Sequence, residues 1–370
     1  MNKVPTMTRM LRFLTLVPLA VSLLFGCGPS NSGSAPPTVE GLSNPTWEVQ
    51  YTDSTALFIG LSAVDEQVVW VSGNGGRFVR TDDGGQSWTG GTVPGAEDLQ
   101  FRDVHAFDAD HAFLLSIGNG PSSRIYRTAD GGTSWTLVFQ NEDPNAFFDC
   151  FSFWNPSRGL AFSDSHEGRF HLISTEDGGQ TWSRIDPALL PEAREGEGAF
   201  ASSGTCVVTR PGGHAWFSTG ASGVDTRILR TEDYGASWSE APTPIASSSP
   251  SSGVFSLTFL DDSIGMALGG EYGNPDTLVV NVAVTSDGGA SWSVPGQSHV
   301  TGAIFGGSYV PGAPTPSVVV VAPTGTDFSK DNGRTWTRID STSFWTVGFV
   351  SPGAGWAAGP SHIARLRNAR

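Results

Sequence analysis

Of the 36 carboxylate side chains in this 370-residue chain, the groups suited to acid–base and metal chemistry, six fall in one pattern. The octapeptide Ser/Thr-x-Asp-x-Gly-x-Ser/Thr-Trp occurs six times, with aspartates at Asp83, Asp130, Asp177, Asp233, Asp287 and Asp331. Its tryptophans are Trp88, Trp135, Trp182, Trp238, Trp292 and Trp336. Aspartates in glycine-rich loops can ligate calcium or act as general acids. Here every copy repeats the same residue types, so the pattern belongs to what the copies share. Asp accepts hydrogen bonds from N–H groups of its own turn, Gly supplies a positive φ, and the hydroxyls close the loop. Trp opens the next strand and packs beneath the turn. These twelve residues are read as structural.

The remaining candidates lie off that pattern. Polar residues on or beside first strands are Arg102, Asp103 and His105, then Asp149, then Ser202, Ser203 and Thr205. The stretch 195–205 departs most from the repeat and carries Glu195 and Glu197 with a run of small residues. Paired carboxylates serve glycoside hydrolysis only at a fitting separation, which sequence spacing on a loop leaves open. The plain alternative is that these side chains satisfy one another and ordered water. His166-Glu-Gly-Arg-Phe-His171 is one residue too long for the metalloprotease pattern, and on one strand the two histidines would face opposite ways. The glycine clusters 73–76 and 353–355 read as turns, without the strand–loop–helix setting that dinucleotide binding needs. No nucleophile elbow, phosphate loop or Cys-x-x-Cys occurs. No catalytic residue, metal site or cofactor is therefore assigned.

Cys150 and Cys206 each precede the aspartate of their own octapeptide (Asp177 and Asp233) by the same interval, which places them equivalently in neighbouring units. A disulfide would close a loop of about 56 residues and add about 3–4 kcal/mol in the chain-entropy model. Equivalent positions on adjacent strands can also lie beyond the roughly 7 Å limit for bridging. A bridge and two buried thiols both remain open.

The elements that must position these residues follow from composition. The chain has 47 Gly, 24 Pro and 12 Trp, only 15 % charged residues, and a net charge of −15. Such a balance excludes a long helical protein and a disulfide scaffold, and it argues against nucleic-acid binding, which needs clustered Lys and Arg. Short apolar or alternating runs bounded by Gly, Asn and Asp precede each octapeptide, as in 58–64, 68–73 and 77–81. This is strand and hairpin chemistry. The aspartates recur at intervals of 47, 47, 56, 54 and 44 residues, so one repeated unit builds the chain.

The N-terminus reads as an export signal. Lys3, Arg9 and Arg12 precede the apolar run 13–25, which ends in Leu24-Phe25-Gly26-Cys27. That ending resembles the bacterial lipobox and implies Cys27 as the lipid attachment. Residues 1–27 would be the signal peptide, 28–45 a flexible Gly/Ser/Pro tether, and 46–370 a single domain. The implied location is the cell envelope, on the periplasmic face of the outer membrane or at the cell surface. Membrane contact would be through the N-terminal lipid alone.

The octapeptide resembles the BNR or Asp-box repeat, in which this turn joins the outer two strands of a β-propeller blade. After the sixth copy come 344–350, 355–359 and 362–366, which read as three strands of one more unit. The segment 46–50 is similar to 181–185 and 335–339 and would supply the fourth. The expectation is an all-β, seven-bladed β-propeller, closed by the N-terminal strand joining the last blade. The run Arg80 to Trp88 and Gly355-Trp356-Ala-Ala-Gly359 resemble the photosystem II stability/assembly factor-like propellers, which include non-photosynthetic members. That resemblance implies a non-catalytic, monomeric binding or assembly scaffold for a protein or glycan partner. The rival is a glycoside hydrolase, since sialidases also carry these boxes. Sialidases need an arginine cluster and a Tyr nucleophile, whereas the five tyrosines here are scattered.

Overall fold

The computed structural model describes residues 41–220 and 225–368. The expected lipid attachment at Cys27, the leader 1–27 and most of the tether lie outside the described residues. Within them, short β-strands joined by tight turns dominate, and the two helical pieces are single 3₁₀ turns, Gly120–Ser122 and Pro187–Leu189.

Consecutive strands pair as antiparallel meanders. Phe101–Ala106, Ala112–Ser116, Arg124–Thr128 and Thr136–Gln140 form one four-stranded sheet. Phe148–Asn155, Arg158–His166, Arg169–Thr175 and Ser183–Arg184 form the next. Val207–Arg210 begins a third, Ser252–Phe259 a three-stranded fourth, and Gly306–Tyr309 a fifth. The first strands of these sheets touch one another in succession, and the series continues through Thr346–Ser351 to Pro45–Ala63 and back to Phe101–Ala106. Sheets arranged side by side around a common axis with their first strands innermost make a β-propeller, whose strands have a solvated edge only at the outer rim.

The sheet count differs from the expectation. Six sheets are present among the described residues, not seven. The expected N-terminal strand that closes a separate last blade is corrected as well: residues 46–50 are the beginning of one strand, Pro45–Ala63, that continues without a break. Its first part pairs with Ala354–Asn368, matching Trp47 to Leu366, and its last part pairs with Val69–Gly73. The strand order Thr346–Ser351, Ala354–Asn368, Pro45–Ala63, Val69–Gly73, Arg77–Thr81, Thr89–Thr92 is therefore a single six-stranded sheet. The physical reason is local. Register shifts between Val49 and Tyr51 and between Thr52 and Leu57 absorb the turn of the chain as bulges, where a hairpin would have separated two blades.

The six octapeptide turns share one hydrogen-bond scheme. At Asp83, Oδ1 accepts from the Ser87 N–H at 2.9 Å and the Thr81 hydroxyl at 2.8 Å, while Oδ2 accepts from the Ser87 hydroxyl at 2.6 Å. Thr81 Oγ1 in turn accepts from the Gly85 N–H. The same bonds recur at Asp130, Asp177, Asp233, Asp287 and Asp331. These donors hold Asp83, Asp177 and Asp287 down at about 2. The position after each aspartate has positive φ; it is Gly four times, and Tyr234 and Asn332 adopt it at +61° and +59°. Turn carbonyls also link neighbouring units: Gly131, Gly288 and Gly84 accept from Arg80, Arg230 and Arg365 respectively.

Between the sheets the core is aromatic and aliphatic, with Trp70, Trp216 and Trp356 fully buried. Cys150 and Cys206 form a disulfide with Cα atoms 6.0 Å apart, tying Phe148–Asn155 to the residue before Val207–Arg210.

Candidate functional site

The channel between the first strands is occupied by the chain itself. Residues 198–205, inserted ahead of Val207–Arg210, bond to strands on several sides. The Ala199 N–H donates to Asp164 Oδ1 at 2.7 Å, and Arg102 Nη1 donates to the Ala201 carbonyl at 2.8 Å. Ser203 Oγ donates to the Phe305 carbonyl at 2.7 Å, and the Thr346 hydroxyl donates to the Ser203 carbonyl. Thr205 Oγ1 meets Ser256 Oγ at 2.7 Å, and its carbonyl accepts from the Leu257 N–H. A segment held by residues 102, 164, 256, 305 and 346 spans the channel as a plug. Small residues make this approach feasible: a Cβ on Gly198 would sit 2.2 Å from Asp164 Oδ1, and one on Gly204 2.4 Å from Asp103 Oδ1.

Three carboxyl groups underlie the plug. Asp103 accepts from the Phe151 N–H at 2.8 Å, and burial raises its pKa well above the usual range. Asp149 is raised well above that range by burial first and by the neighbouring Asp164 charge second, and its Oδ2 has no hydrogen-bond partner. Asp164 is raised to about 6, again chiefly by burial. Two adjacent carboxyls in one water-poor place cannot both ionise cheaply, so the Asp164 charge adds to burial in raising Asp149. His105 stacks edge-on to Phe107 and lies 5.0 Å from Phe153; burial lowers it to about 4, so it is neutral.

The plug is anchored at its start by a buried ion pair. Arg227 Nε and Nη2 reach Glu197 Oε1 and Oε2 at 2.8 and 2.6 Å, and Glu197 also accepts from the Arg194 N–H. Glu240 and the Glu192 carbonyl take further Arg227 donors. Hydrogen bonds from Arg227 and Arg194 outweigh burial and leave the Glu197 carboxyl below its ordinary value. Glu197 thus faces Arg227, not the channel, and Glu195 sits exposed on the surface. The two are not a paired acid and base.

Above the plug lies a pocket of about 330 Å³. Its floor is Phe200, Ala201 and Ser202; its walls are Arg102, Phe255, Tyr272, Phe305 and Trp345. Phe200 and Phe255 are parallel at 4.0 Å, and Phe305 lies parallel to Phe255 at 5.5 Å. Trp345 stands perpendicular to Phe305 at 5.1 Å, and the Arg102 guanidinium lies 5.6 Å from the Trp345 ring. Burial lowers the Arg102 pKa, with the Asp149 charge opposing it. The pocket brings together one arginine and one tyrosine with no carboxylate in its wall. Its chemistry is that of binding: aromatic faces, one guanidinium and backbone carbonyls.

Of the sequence candidates, Arg102 and Ser202 line this pocket, Asp103, Asp149 and Ser203 lie in or beside the plug, and His105 packs away from it against Phe107, Phe151 and Phe153. Phe200, Phe255, Phe305, Trp345, Tyr272 and Asp164 were not singled out from sequence. A signal for three of these six was present: Phe255, Phe305 and Trp345, like Arg102 and Asp149, each follow a buried apolar residue at the head of a first strand. That position repeats in place but varies in type. The histidine reading is corrected too. A hairpin turn at Glu167-Gly168 separates His166 from His171, and the rings approach to 5.6 Å on one side of the hairpin.

The fold is similar to several solved structures. Against the structure described as YCF48 bound to D1 peptide, the TM-score is 0.61 at 18 % identity, covering 90 % of this chain and 100 % of that one. YCF48 from Cyanidioschyzon merolae gives 0.62 at 15 % identity, over 87 % and 99 % of the two chains. A streptogramin B lyase gives 0.57 at 14 %, over 88 % and 98 %. No protein-family profile matches the chain, and no curated protein sequence matches it. What the chain shares with these proteins is the β-propeller fold.

Proposed function

We propose that this protein is a non-catalytic binding or assembly scaffold that docks a protein partner at the plugged mouth of its propeller. The observation that carries the reading is the aromatic pocket with Arg102 in its wall, set over a channel closed by residues 198–205. Five aromatic rings in one concavity form a hydrophobic anchor site of the kind that dominates protein interfaces. The sequence resemblance to photosystem II stability/assembly factor-like propellers supports a scaffold role. So does the likeness in fold to YCF48, one structure of which holds a D1 peptide. Photosystem assembly itself is not part of the proposal. The octapeptides fit the BNR or Asp-box repeat in this reading, and Cys27 anchors the domain to the cell envelope through a lipid.

The test is a crosslinking pull-down from envelope membranes with the full chain and with Tyr272→Ala, run beside a glycosidase substrate panel. Tyr272 is half-exposed at the pocket rim, so its removal leaves the core intact. Capture of a protein by the wild type and its loss in the variant is the expected result. Glycoside turnover that disappears in Asp149→Asn would overturn the reading.

A further inference from the structure

Arg102 is a cation in a place that lacks its counter-ion. Its Nε and Nη2 donate to Gln100 Oε1 at 3.3 and 3.1 Å, and its Nη1 donates to the Ala201 carbonyl. A guanidinium has five N–H groups, so two remain, one on each terminal nitrogen. No ion pair to Arg102 occurs among the described residues, whereas Arg227 of the same channel region has two carboxylates. Asp149 acts on Arg102 without an ion-pair contact, and burial raises the Asp149 pKa. A half-buried guanidinium beside an indole face, with donors left over, attracts an anion more strongly than an exposed one would.

The rest of the wall specifies what else the ligand must be. Phe255 and Phe305 are parallel, Trp345 closes one side, and Tyr272 stands edge-on to both Phe200 and Phe255 at 6.0 Å. The Ser202 hydroxyl already donates to the Phe305 carbonyl, so Arg102, Tyr272 and Trp345 hold the side-chain donors left in the wall. The volume is also at the small end for ligand pockets, enough for one side chain and not for an oligosaccharide.

We infer that the pocket captures an aromatic or bulky apolar side chain of a protein partner together with an adjacent carboxylate, the side chain packing against the aromatic walls and the carboxylate onto Arg102. This rests on the reading of the plugged mouth as the docking face and adds the chemistry of the docked group. Local charge selects the occupant: Arg102 is the one cation in the pocket wall, and its remaining donors suit a carboxylate despite the overall charge of −15.

The test uses the full chain and ¹⁹F NMR with three probes that differ only in the polar group: 4-fluorophenylacetate, 4-fluorophenylacetamide and 4-fluorophenethylammonium. Expected is binding of the carboxylate at least tenfold tighter than the other two, with the advantage abolished in Arg102→Met. A second measurement needs no variant: the peptide acetyl-Phe-Glu-amide should displace the bound fluoroacid at a concentration at least tenfold below that needed for acetyl-Phe-Gln-amide. Equal binding of the three probes, no binding by any, or a carboxylate advantage that survives Arg102→Met overturns the inference. If a partner crosslinks through the mouth while the carboxylate shows no advantage, the inference falls and the docking face stands. If the carboxylate shows its advantage while no partner crosslinks there, the pocket chemistry stands and the scaffold reading falls.

Discussion

The octapeptide turns and the floor of the channel plug use the same residue, aspartate, with pKa values shifted in opposite directions. In the turns, an exposed carboxylate receives N–H and O–H donors from its own loop and stays ionised down to about pH 2 at Asp83, Asp177 and Asp287. Under the plug, Asp103, Asp149 and Asp164 are removed from water, and burial raises all three. The difference is one of donors and solvent, not of residue type. Groups repeated in every unit serve the fold. Groups that occur once, where the repeat is broken, build the plug and the pocket above it.

Because each turn has five siblings and the plug has none, single changes in the plug region should have the larger effects. The largest is expected at the anchor: Arg227→Met leaves Glu197 buried without its partner and should cost about 3–5 kcal/mol in urea unfolding. A loss under about 1 kcal/mol would show that Glu197 finds water and that the anchor is not special. Next is the disulfide. Replacing both Cys150 and Cys206 by Ala opens a loop spanning a separation of 56 residues, with an expected loss of about 4 kcal/mol. If reduced and oxidised wild type unfold at the same urea concentration, the tie beside the plug contributes nothing.

Glycines sharpen the contrast at smaller scale. Gly204 in the plug (φ +74°) and Gly95 in a surface turn (φ +77°) have nearly the same backbone. A Cβ at Gly95 meets nothing within 4 Å, while one at Gly204 meets Asp103 Oδ1 at 2.4 Å. Gly95→Ala should cost about 1 kcal/mol from backbone strain alone, and Gly204→Ala about 1–3 kcal/mol more. Equal losses in thermal unfolding would place residue 204 in open space and contradict the plug.

The smallest effect is on pH dependence, and its sign separates the two regions. A carboxyl raised in the folded state holds protons that the unfolded chain has released, so stability falls as pH rises through the window from about 4 to 6 at Asp164 and further at Asp149. A carboxyl lowered in the folded state does the reverse: the turn contribution is complete above about pH 4 and is lost as pH falls toward 2. Asp149→Asn should therefore gain stability relative to wild type between pH 5 and pH 8. Asp287→Asn should lose stability at pH 7 and match wild type near pH 2. An Asp149→Asn difference that does not change between pH 5 and 8 would mean the dyad is not proton-linked.

The repeat, its strands and its turns were legible in the sequence, because six copies of Thr81-to-Trp88 chemistry fix the local backbone wherever they occur. The equal placement of Cys150 and Cys206 was legible as well, though not the distance between them. The sheet count was not: whether residues 51–57 bend into a hairpin or run on as a bulged strand depends on pairing with Ile363, His362 and Pro360, more than 300 positions away. The histidine pair failed for a local reason, a two-residue turn read as strand. The departure of 195–205 from the repeat marked the segment that fills the channel, but the role of Glu197 required Arg227 from another strand. The aromatic wall was hidden because Phe255, Phe305 and Trp345 look like ordinary core residues in one dimension. Only the ring of first strands turns them toward one space.

The central claim, that the broken repeat and not the repeated turn is where this protein meets its partner, is tested most directly by position-specific photo-crosslinking in membranes. A photoreactive phenylalanine analogue at Tyr272, on the pocket rim, is compared with one at Gln86, exposed in the first octapeptide turn. Adducts to a discrete protein from position 272 and none from position 86 are the expected result. Adducts from position 86 with position 272 silent would contradict it.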